Sequence, residues 1–227
     1  MIRYVLFDLD DTILDFLLSE EEALAKTLLQ LGIEPTEEVV SAYSRINLAQ
    51  WKMLERGEIT RDTLKIRRFS LLFDELGLNC DAETARVSYE DNLSRTCYFV
   101  PDALWLLDTL YGKYRMFIVS NGITAVQNGR IAASGIAKYF EKIFLSEELG
   151  VVKPQKEFFT RCFAEIPDFD PAEAIIIGDS LSSDIQGGIN AGIKTCLFNY
   201  RNAPADPKIV PDVEIFDLNE LPAVLEQ

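Results

Sequence analysis

The sequence contains no histidine, and this absence excludes several large classes of enzyme site. Serine and cysteine hydrolases that use a histidine base are excluded, as are zinc sites built on imidazole ligands. Any acid-base chemistry in this chain must therefore fall to carboxylates, lysine or tyrosine.

Long apolar runs are also missing. The sequence has no run of about 18 apolar residues, which argues against an ordinary membrane span. The amino terminus enters the apolar run Tyr4 to Phe7 directly, without the basic start and small-residue cleavage site of a signal peptide. We therefore expect a cytoplasmic protein that does not bind a membrane.

Cysteines and basic residues are both scarce. The four cysteines form no CxxC pair and mostly lie in apolar surroundings, as buried free thiols do.

Lys and Arg number 22 against 37 Asp and Glu, so the net charge is −15. Such a charge disfavours a nucleic-acid polymer as partner. A net charge of this size is also typical of proteins that are simply soluble, so the charge does not identify a small ligand.

The pattern of apolar segments predicts an α/β protein. With 227 residues, of which 48% are hydrophobic, one core with a sizeable insertion is expected. Runs typical of strands buried on both faces lie at Tyr4–Leu9, Arg115–Val119, Lys142–Leu145, Ala174–Ile177, Thr195–Phe198 and, more weakly, Val213–Phe216. Helix-length segments near 101–112, 124–135, 154–165 and 183–191 separate the later runs. This alternation predicts βαβ crossovers and a Rossmann-like parallel sheet.

Residues 16–95 interrupt that alternation. They contain no convincing strand and show helical periodicity, which predicts four helices near 19–31, 36–56, 60–76 and 82–94. Such helices would form a small bundle inserted after the first strand. We therefore expect a catalytic core made of residues 1–15 and 96–227, and an all-helical cap domain made of residues 16–95.

Clustered carboxylates follow the first predicted strand. The segment Asp8-Leu9-Asp10-Asp11-Thr12 places them at the carboxyl edge of a parallel sheet, where open α/β folds bind ligands. This much negative charge at one edge is costly without a cation. A turn with a helix N-cap would account for the same residues structurally, so other features must decide between the two interpretations.

Three later segments also place polar groups after predicted strands. Ser120 and Asn121 precede a helix, where a hydroxyl and backbone N–H groups suit a phosphate oxygen. Lys153 stands before a proline that would open another helix. Asp179 and Asp184 follow the strand that ends at residue 177. Taken singly, a serine at a helix start is more often just a cap, and a lysine such as Lys153 is more often a solvated surface group. The order of these residues along the chain is the informative feature.

In this order, the segments resemble the four motifs of the haloacid dehalogenase superfamily, and the resemblance covers essentially the whole chain. Motif one would be Asp8 to Thr12, motif two Ser120, motif three Lys153, and motif four Asp179 with Asp184. The resemblance implies a magnesium-dependent phosphatase that acts through an aspartyl-phosphate.

The resemblance also implies a role for each motif residue. Asp8 would attack phosphorus, and Asp10 would protonate the leaving group and later deprotonate water. Mg²⁺ would be held by the side chains of Asp8 and Asp179 and by the backbone carbonyl of Asp10. Supporting roles would fall to Ser120, Asn121 and Lys153 on the phosphoryl oxygens, to Asp184 in orienting Lys153 or a metal-bound water, and to Thr12 within motif one.

Several related activities share this core. Members that cleave carbon–halogen bonds do not need a leaving-group acid at the position of Asp10, which favours phosphate chemistry. A phosphonate-cleaving member would need a cap lysine, and Lys26, Lys52 and Lys65 lack a recognisable context. A sugar-phosphate or phosphoglycolate phosphatase, a phosphoglucomutase-like phosphotransferase and a non-catalytic phosphate- or metal-binding module remain as alternatives.

The insertion resembles the first cap class of the superfamily, whose caps close over small substrates and exclude water. Its stretches around Asn47 to Trp51 and Arg67 to Phe69 resemble bacterial nucleotidases that act on pyrimidine nucleoside monophosphates. Asn47, Trp51 and Arg67 would then contact the base or the sugar. A tryptophan at a helical position such as Trp51 more often lies in the core of a bundle, however, and an arginine such as Arg67 more often lies on the surface. We expect a small phosphorylated metabolite as substrate, such as a nucleoside monophosphate, and a monomer or homodimer.

Overall fold

The computed structural model describes residues 1–226 and contains a six-stranded sheet. The strands are β1 Tyr4–Phe7, β2 Arg115–Ser120, β3 Lys142–Leu145, β4 Ala174–Gly178, β5 Lys194–Phe198 and β6 Val213–Ile215. Their order is β3-β2-β1-β4-β5-β6, and every neighbouring pair is parallel. The predicted α/β class with a Rossmann-like parallel sheet is confirmed, including the weak sixth strand.

Helices fill the connections between the strands. They are α1 Phe16–Gln30, α2 Glu37–Glu55, α3 Arg61–Leu76, α4 Ala82–Ser94, α5 Ala103–Leu110, α6 Thr124–Ser134, α7 Ser146–Leu149, α8 Lys156–Ala164, α9 Gln186–Ala191 and α10 Leu221–Leu225. Shorter 3₁₀ turns occupy Ile136–Tyr139, Pro171–Glu173 and Leu218–Glu220, and a single π-helical turn spans Leu181–Ile185.

The sheet is buried because apolar residues cover both faces of its central strands. All residues of β1 and β4 are buried. On one face, Tyr4 and Leu6 of β1 pack in a cluster with Phe158 and Phe159 of α8. Burying each such side chain contributes about 1.5–3 kcal/mol. The core thus fixes the carboxyl ends of β1, β2 and β4 beside one another.

The chain divides into two compact units. The first comprises residues 1–16, 97–124 and 134 onward, and contains the sheet. The second comprises residues 17–96 and 125–133, so it takes in most of α6 in addition to the four inserted helices. Assignment of the second unit as a cap domain, with limits at 16–95, stays a prediction.

The helical unit is organised by capped helices around an aromatic core. Thr36, Thr60 and Asp81 accept backbone N–H groups at the starts of α2, α3 and α4, which satisfies otherwise unpaired donors. The rings of Tyr43, Phe69 and Tyr89 lie 5.2–5.5 Å apart in the core. These features explain why a segment without strands folds as a bundle.

No helix within residues 1–226 is long and apolar enough to cross a membrane. The four cysteines are free thiols, and those of Cys162 and Cys196 are buried.

Candidate active site

Asp8 is held in place by the sheet itself. Its backbone N–H donates to the carbonyl of Ile177 at 2.9 Å, so the ladder between β1 and β4 continues one residue past β1. The chain then turns, because the carbonyl of Leu9 accepts the N–H groups of Ile13 and Leu14. The side chain of Asp8 is 12% exposed and lies at the carboxyl edge of the sheet.

Lys153 is a buried cation whose ammonium group has three partners. Its Nζ donates to Asp8 Oδ1 at 2.8 Å, to Asp184 Oδ1 at 2.6 Å and to the carbonyl oxygen of Val119 at 2.7 Å. Burial lowers the pKa of Lys153, but the carboxylates of Asp184 and Asp8 outweigh burial and hold the pKa above its ordinary value. The lysine therefore stays charged and links β2 to the segments that follow β1 and β4.

Asp184 reaches this lysine because of two local features. Its other oxygen, Oδ2, accepts the backbone N–H of Ser180 at 3.1 Å, which fixes the carboxylate over the π-helical turn. Gly178 allows the close approach, since a Cβ there would lie 2.3 Å from the Asp184 carboxyl carbon. Glycine at the end of β4 is thus a requirement of the packing.

Three carboxylates converge at this edge. Ligand oxygens of Asp8, Asp179 and Asp184 all lie within 4.8 Å of one another. Burial, reinforced by Asp184, raises the pKa of Asp8 to about 8, although Lys153 opposes the rise. Burial and the charges of Asp184 and Asp8 raise the pKa of Asp179 well above its ordinary value. These raised pKa values reflect the cost of ionising three acids beside one lysine. A divalent cation such as Mg²⁺ would remove that cost, because it prefers hard oxygen ligands of this kind.

This arrangement predicts that Mg²⁺ stabilises the protein. At a concentration about 100 times its dissociation constant, the ion should add about 2.7 kcal/mol to the free energy of unfolding. That corresponds to a rise in Tm of roughly 5–11 °C for a chain of this size. The measurement is thermal unfolding in EDTA and in Mg²⁺, followed for the wild type and for Asp179→Asn.

Asp179→Asn should lose most of the Mg²⁺-induced rise. A matched control is Glu157→Gln, which changes an exposed acid paired with Arg161 and should keep the full rise. An equal rise in both variants would show that the ion does not bind at the carboxylate cluster.

Ser120 and Asn121 lie at the end of β2, next to the strand that carries Asp8. Ser120 Oγ accepts the N–H of Gly122 at 3.0 Å. Asn121 makes two bonds with the backbone of Lys153: its Oδ1 accepts the N–H at 2.9 Å and its Nδ2 donates to the carbonyl at 3.0 Å. Asn121 therefore fixes the backbone that presents the lysine; direct phosphate binding by either residue stays a prediction.

Asp10 and Thr12 lie in the turn after Asp8. Asp10 is half-buried and pairs through its backbone with Leu14. Thr12 is fully buried, and its Oγ1 has no hydrogen-bond partner among the described residues. The structure thus brings all the motif residues to one edge of the sheet, while their individual roles stay predictions.

One contributor at this edge was missed by the sequence analysis. Arg201, in the loop after β5, donates to Asp11 Oδ1 at 3.1 Å and to Asp15 Oδ1 at 2.9 Å. The only signal in the sequence was its place shortly after a predicted strand, which many surface arginines share.

The three candidate substrate residues of the insertion lie in the helical unit. Asn47 is buried; its Nδ2 donates to Glu20 Oε1 at 2.6 Å and its Oδ1 accepts from Arg68 at 3.2 Å. Trp51 is half-buried, with the Arg61 guanidinium 5.9 Å from its ring centre, and Arg67 is also half-buried. Asn47 is thus committed to contacts inside this unit, and substrate contacts by the three stay predictions.

Comparison with known proteins identifies the relatives of this chain. The family model described as haloacid dehalogenase-like hydrolase matches residues 5–198. The HAD-hydrolase YfnB of Bacillus subtilis is 38% identical over 98% of this chain and 95% of its own length. A crystal structure of YfnB bound to magnesium has a TM-score of 0.95 and covers 100% of this chain and 99% of that one.

Two further relatives are nucleotidases by name. The pyrimidine 5'-nucleotidase PynA of Streptococcus pneumoniae is 36% identical over 96% of this chain and 93% of its own length. The pyrimidine 5'-nucleotidase YjjG of Escherichia coli is 29% identical over 98% and 97%, respectively.

Proposed function

Since the chain belongs to the haloacid dehalogenase-like hydrolase family, we propose that it is a magnesium-dependent phosphatase acting on nucleoside 5'-monophosphates through a phosphorylated Asp8. The observation that carries the proposal is the buried Lys153, whose ammonium joins Asp8 and Asp184 beside Asp179. A cation bound by the carboxylates would offset the charge of an incoming phosphate and polarise its oxygens.

In the first step, a carboxylate oxygen of Asp8 attacks phosphorus, and the bond between phosphorus and the ester oxygen breaks. Asp10 gives its proton to the departing alkoxide, so the leaving group departs as an alcohol. Lys153, held against Asp8 by a 2.8 Å bond, keeps the attacking carboxylate oriented and offsets developing negative charge. The product of this step is an acyl phosphate on Asp8.

In the second step, Asp10 is a carboxylate and accepts a proton from water as that water attacks phosphorus. The acyl phosphate breaks, inorganic phosphate leaves, and Asp8 is regenerated as a carboxylate. Ser120, at the end of the neighbouring strand β2, would bind a phosphoryl oxygen through both steps. The scheme uses carboxylates for every proton transfer, in keeping with a chain that has no histidine.

The choice of phosphate over halide chemistry rests on Asp10, because displacement of a halide requires no proton donor. The choice of nucleotides is supported by the names of PynA and YjjG, which match nearly the whole chain. Other small phosphomonoesters, such as sugar phosphates, would use the same core residues.

The test is a substrate panel that measures phosphate release with Mg²⁺ and with EDTA. The panel contains UMP, dUMP, dTMP, AMP, glucose phosphates and phosphoglycolate, with halide release from 2-chloropropionate as a separate arm. We expect pyrimidine monophosphates to give the highest kcat/KM, and no halide release. A preference for glucose phosphates or phosphoglycolate would overturn the nucleotide assignment alone. Equal phosphate release in Mg²⁺ and in EDTA would overturn the magnesium dependence, and the absence of phosphate release from every substrate would overturn the assignment as a phosphatase.

A further inference from the structure

The turn after Asp8, residues 9–16, contains a residue in an unusual conformation. Asp11 has a φ of +53°, in the left-handed region that favours glycine. Its side chain compensates by bonding locally, since Oδ1 accepts the backbone N–H of Phe16 at 3.0 Å. Holding the turn in this shape therefore depends on what the Asp11 carboxylate contacts.

Two residues from the loop after β5 also bind this carboxylate oxygen. Tyr200 donates its hydroxyl at 3.3 Å and Arg201 its Nη2 at 3.1 Å. The same Nη2 of Arg201 donates to Asp15 Oδ1 at 2.9 Å. Arg201 thus bridges two acids that flank residues 12–14 of the turn that carries Asp10.

The loop that presents Arg201 is held by contacts of its own residues. Asn199 is buried, and its amide bonds the backbone of Ala203 in both directions and the carboxylate of Glu214. The ring of Tyr200 stacks on Phe198 at 4.8 Å, and the guanidinium of Arg201 lies over the Tyr200 ring at 4.6 Å. Contacts within its own loop therefore help to orient Arg201, in addition to its bonds to the two acids.

We propose that Arg201 is a positioning residue for the phosphatase reaction: by bridging Asp11 and Asp15, it fixes the turn that places Asp10 against the leaving group. The inference rests on the proposed function. An ordinary surface ion pair contributes little, but the carboxylates of Asp11 and Asp15 are only 17% and 11% exposed. One guanidinium nitrogen, Nη2, serves both acids, and the planar group also lies over the ring of Tyr200, a contact for which arginine is better suited than lysine.

The kinetic test compares Arg201→Met and Arg201→Lys with Lys142→Met, a control that removes an exposed cation paired with Glu165 in the same unit. We expect kcat to fall about 10- to 100-fold in Arg201→Met, the range for lost supporting contacts, with KM nearly unchanged. Arg201→Lys should recover part of the loss, and the control should match the wild type. A raised KM with unchanged kcat would overturn the inference, because it would show that Arg201 binds substrate directly.

A double variant tests whether Arg201 acts through Asp11. Asp11→Gly removes the carboxylate that Arg201 contacts and supplies a residue that tolerates the left-handed conformation. Adding Arg201→Met to Asp11→Gly should therefore lower kcat far less than Arg201→Met does alone, as expected for coupled residues. Equal losses in the two backgrounds would contradict the inference.

Amide hydrogen exchange gives a readout that does not depend on activity. The N–H groups of Asp11, Ile13, Leu14 and Phe16 are all bonded within the turn, so Arg201→Met should speed their exchange and leave β2 and β3 unchanged. If wild-type activity is absent while exchange changes in this way, the proposed function fails and the positioning of the turn stands. If the wild type is active and neither kcat nor exchange changes in Arg201→Met, the inference fails alone.

Discussion

Replacing Asp8 by asparagine should abolish turnover, lowering kcat about 10⁴-fold or more, as expected when a covalent nucleophile is removed. Asparagine keeps the shape of the side chain but has no charged oxygen to attack phosphorus. Folding should survive, because Lys153 keeps its bonds to Asp184 and to the Val119 carbonyl. We expect the free energy of unfolding to change by about 1 kcal/mol or less, since burial already penalises the charged form of Asp8.

The measurement combines kcat with acid-quench labelling from a ³²P-labelled aryl phosphate, whose leaving group needs no proton. Asp10→Asn is the matched comparison, because it should still form the acyl phosphate and then hydrolyse it slowly. Label should therefore accumulate on Asp10→Asn and be absent from Asp8→Asn. Near-normal activity or labelled protein in Asp8→Asn would refute a nucleophilic role for Asp8.

The strands could be predicted because each is a short apolar run buried on both faces. The observed ends of the elements differ from the predicted ends where a turn begins. The sequence predicts that β1 reaches Leu9, but the strand ends at Phe7, because the Leu9 carbonyl accepts hydrogen bonds within the next turn. Helix α1 begins at Phe16 rather than near residue 19. Leu17 and Leu18 are 43% and 49% exposed, so the buried periodicity that reveals a helix starts later.

The motif residues were predictable for a topological reason. In a parallel sheet, residues that follow different strands meet at the carboxyl edge, so the ends of β1, β2 and β4 had to be close. The contacts of Arg201 were not predictable, since they join residues almost 190 positions apart through a turn organised by Asn199. Asn47 shows the same limit, because its partners Glu20 and Arg68 come from two other helices.

Removing Lys153 should have the largest effect on stability. Lys153→Met keeps the length of the apolar stem but leaves the carboxylates of Asp8 and Asp184 without their cation. Breaking one side of a buried ion pair costs about 3–5 kcal/mol, and here the lysine is only 1% exposed and serves both acids. Activity should fall as well, because the lysine orients Asp8 and offsets charge on the transferring phosphoryl group.

The measurement is chemical denaturation in EDTA, with Lys142→Met as control because Lys142 forms an exposed pair with Glu165 and should change stability by about 0–1 kcal/mol. The pH dependence adds a second check. In the wild type the pKa of Asp8 is already raised to about 8, and losing Lys153 removes an interaction that lowers it, so the pKa should be higher still in folded Lys153→Met. The stability deficit of Lys153→Met relative to the wild type should therefore grow as the pH rises through about 8, where only the wild type ionises Asp8. A deficit as small as that of Lys142→Met at pH 7 would mean that the acids need no cation, and the case for a charged Asp8 nucleophile would fail with it.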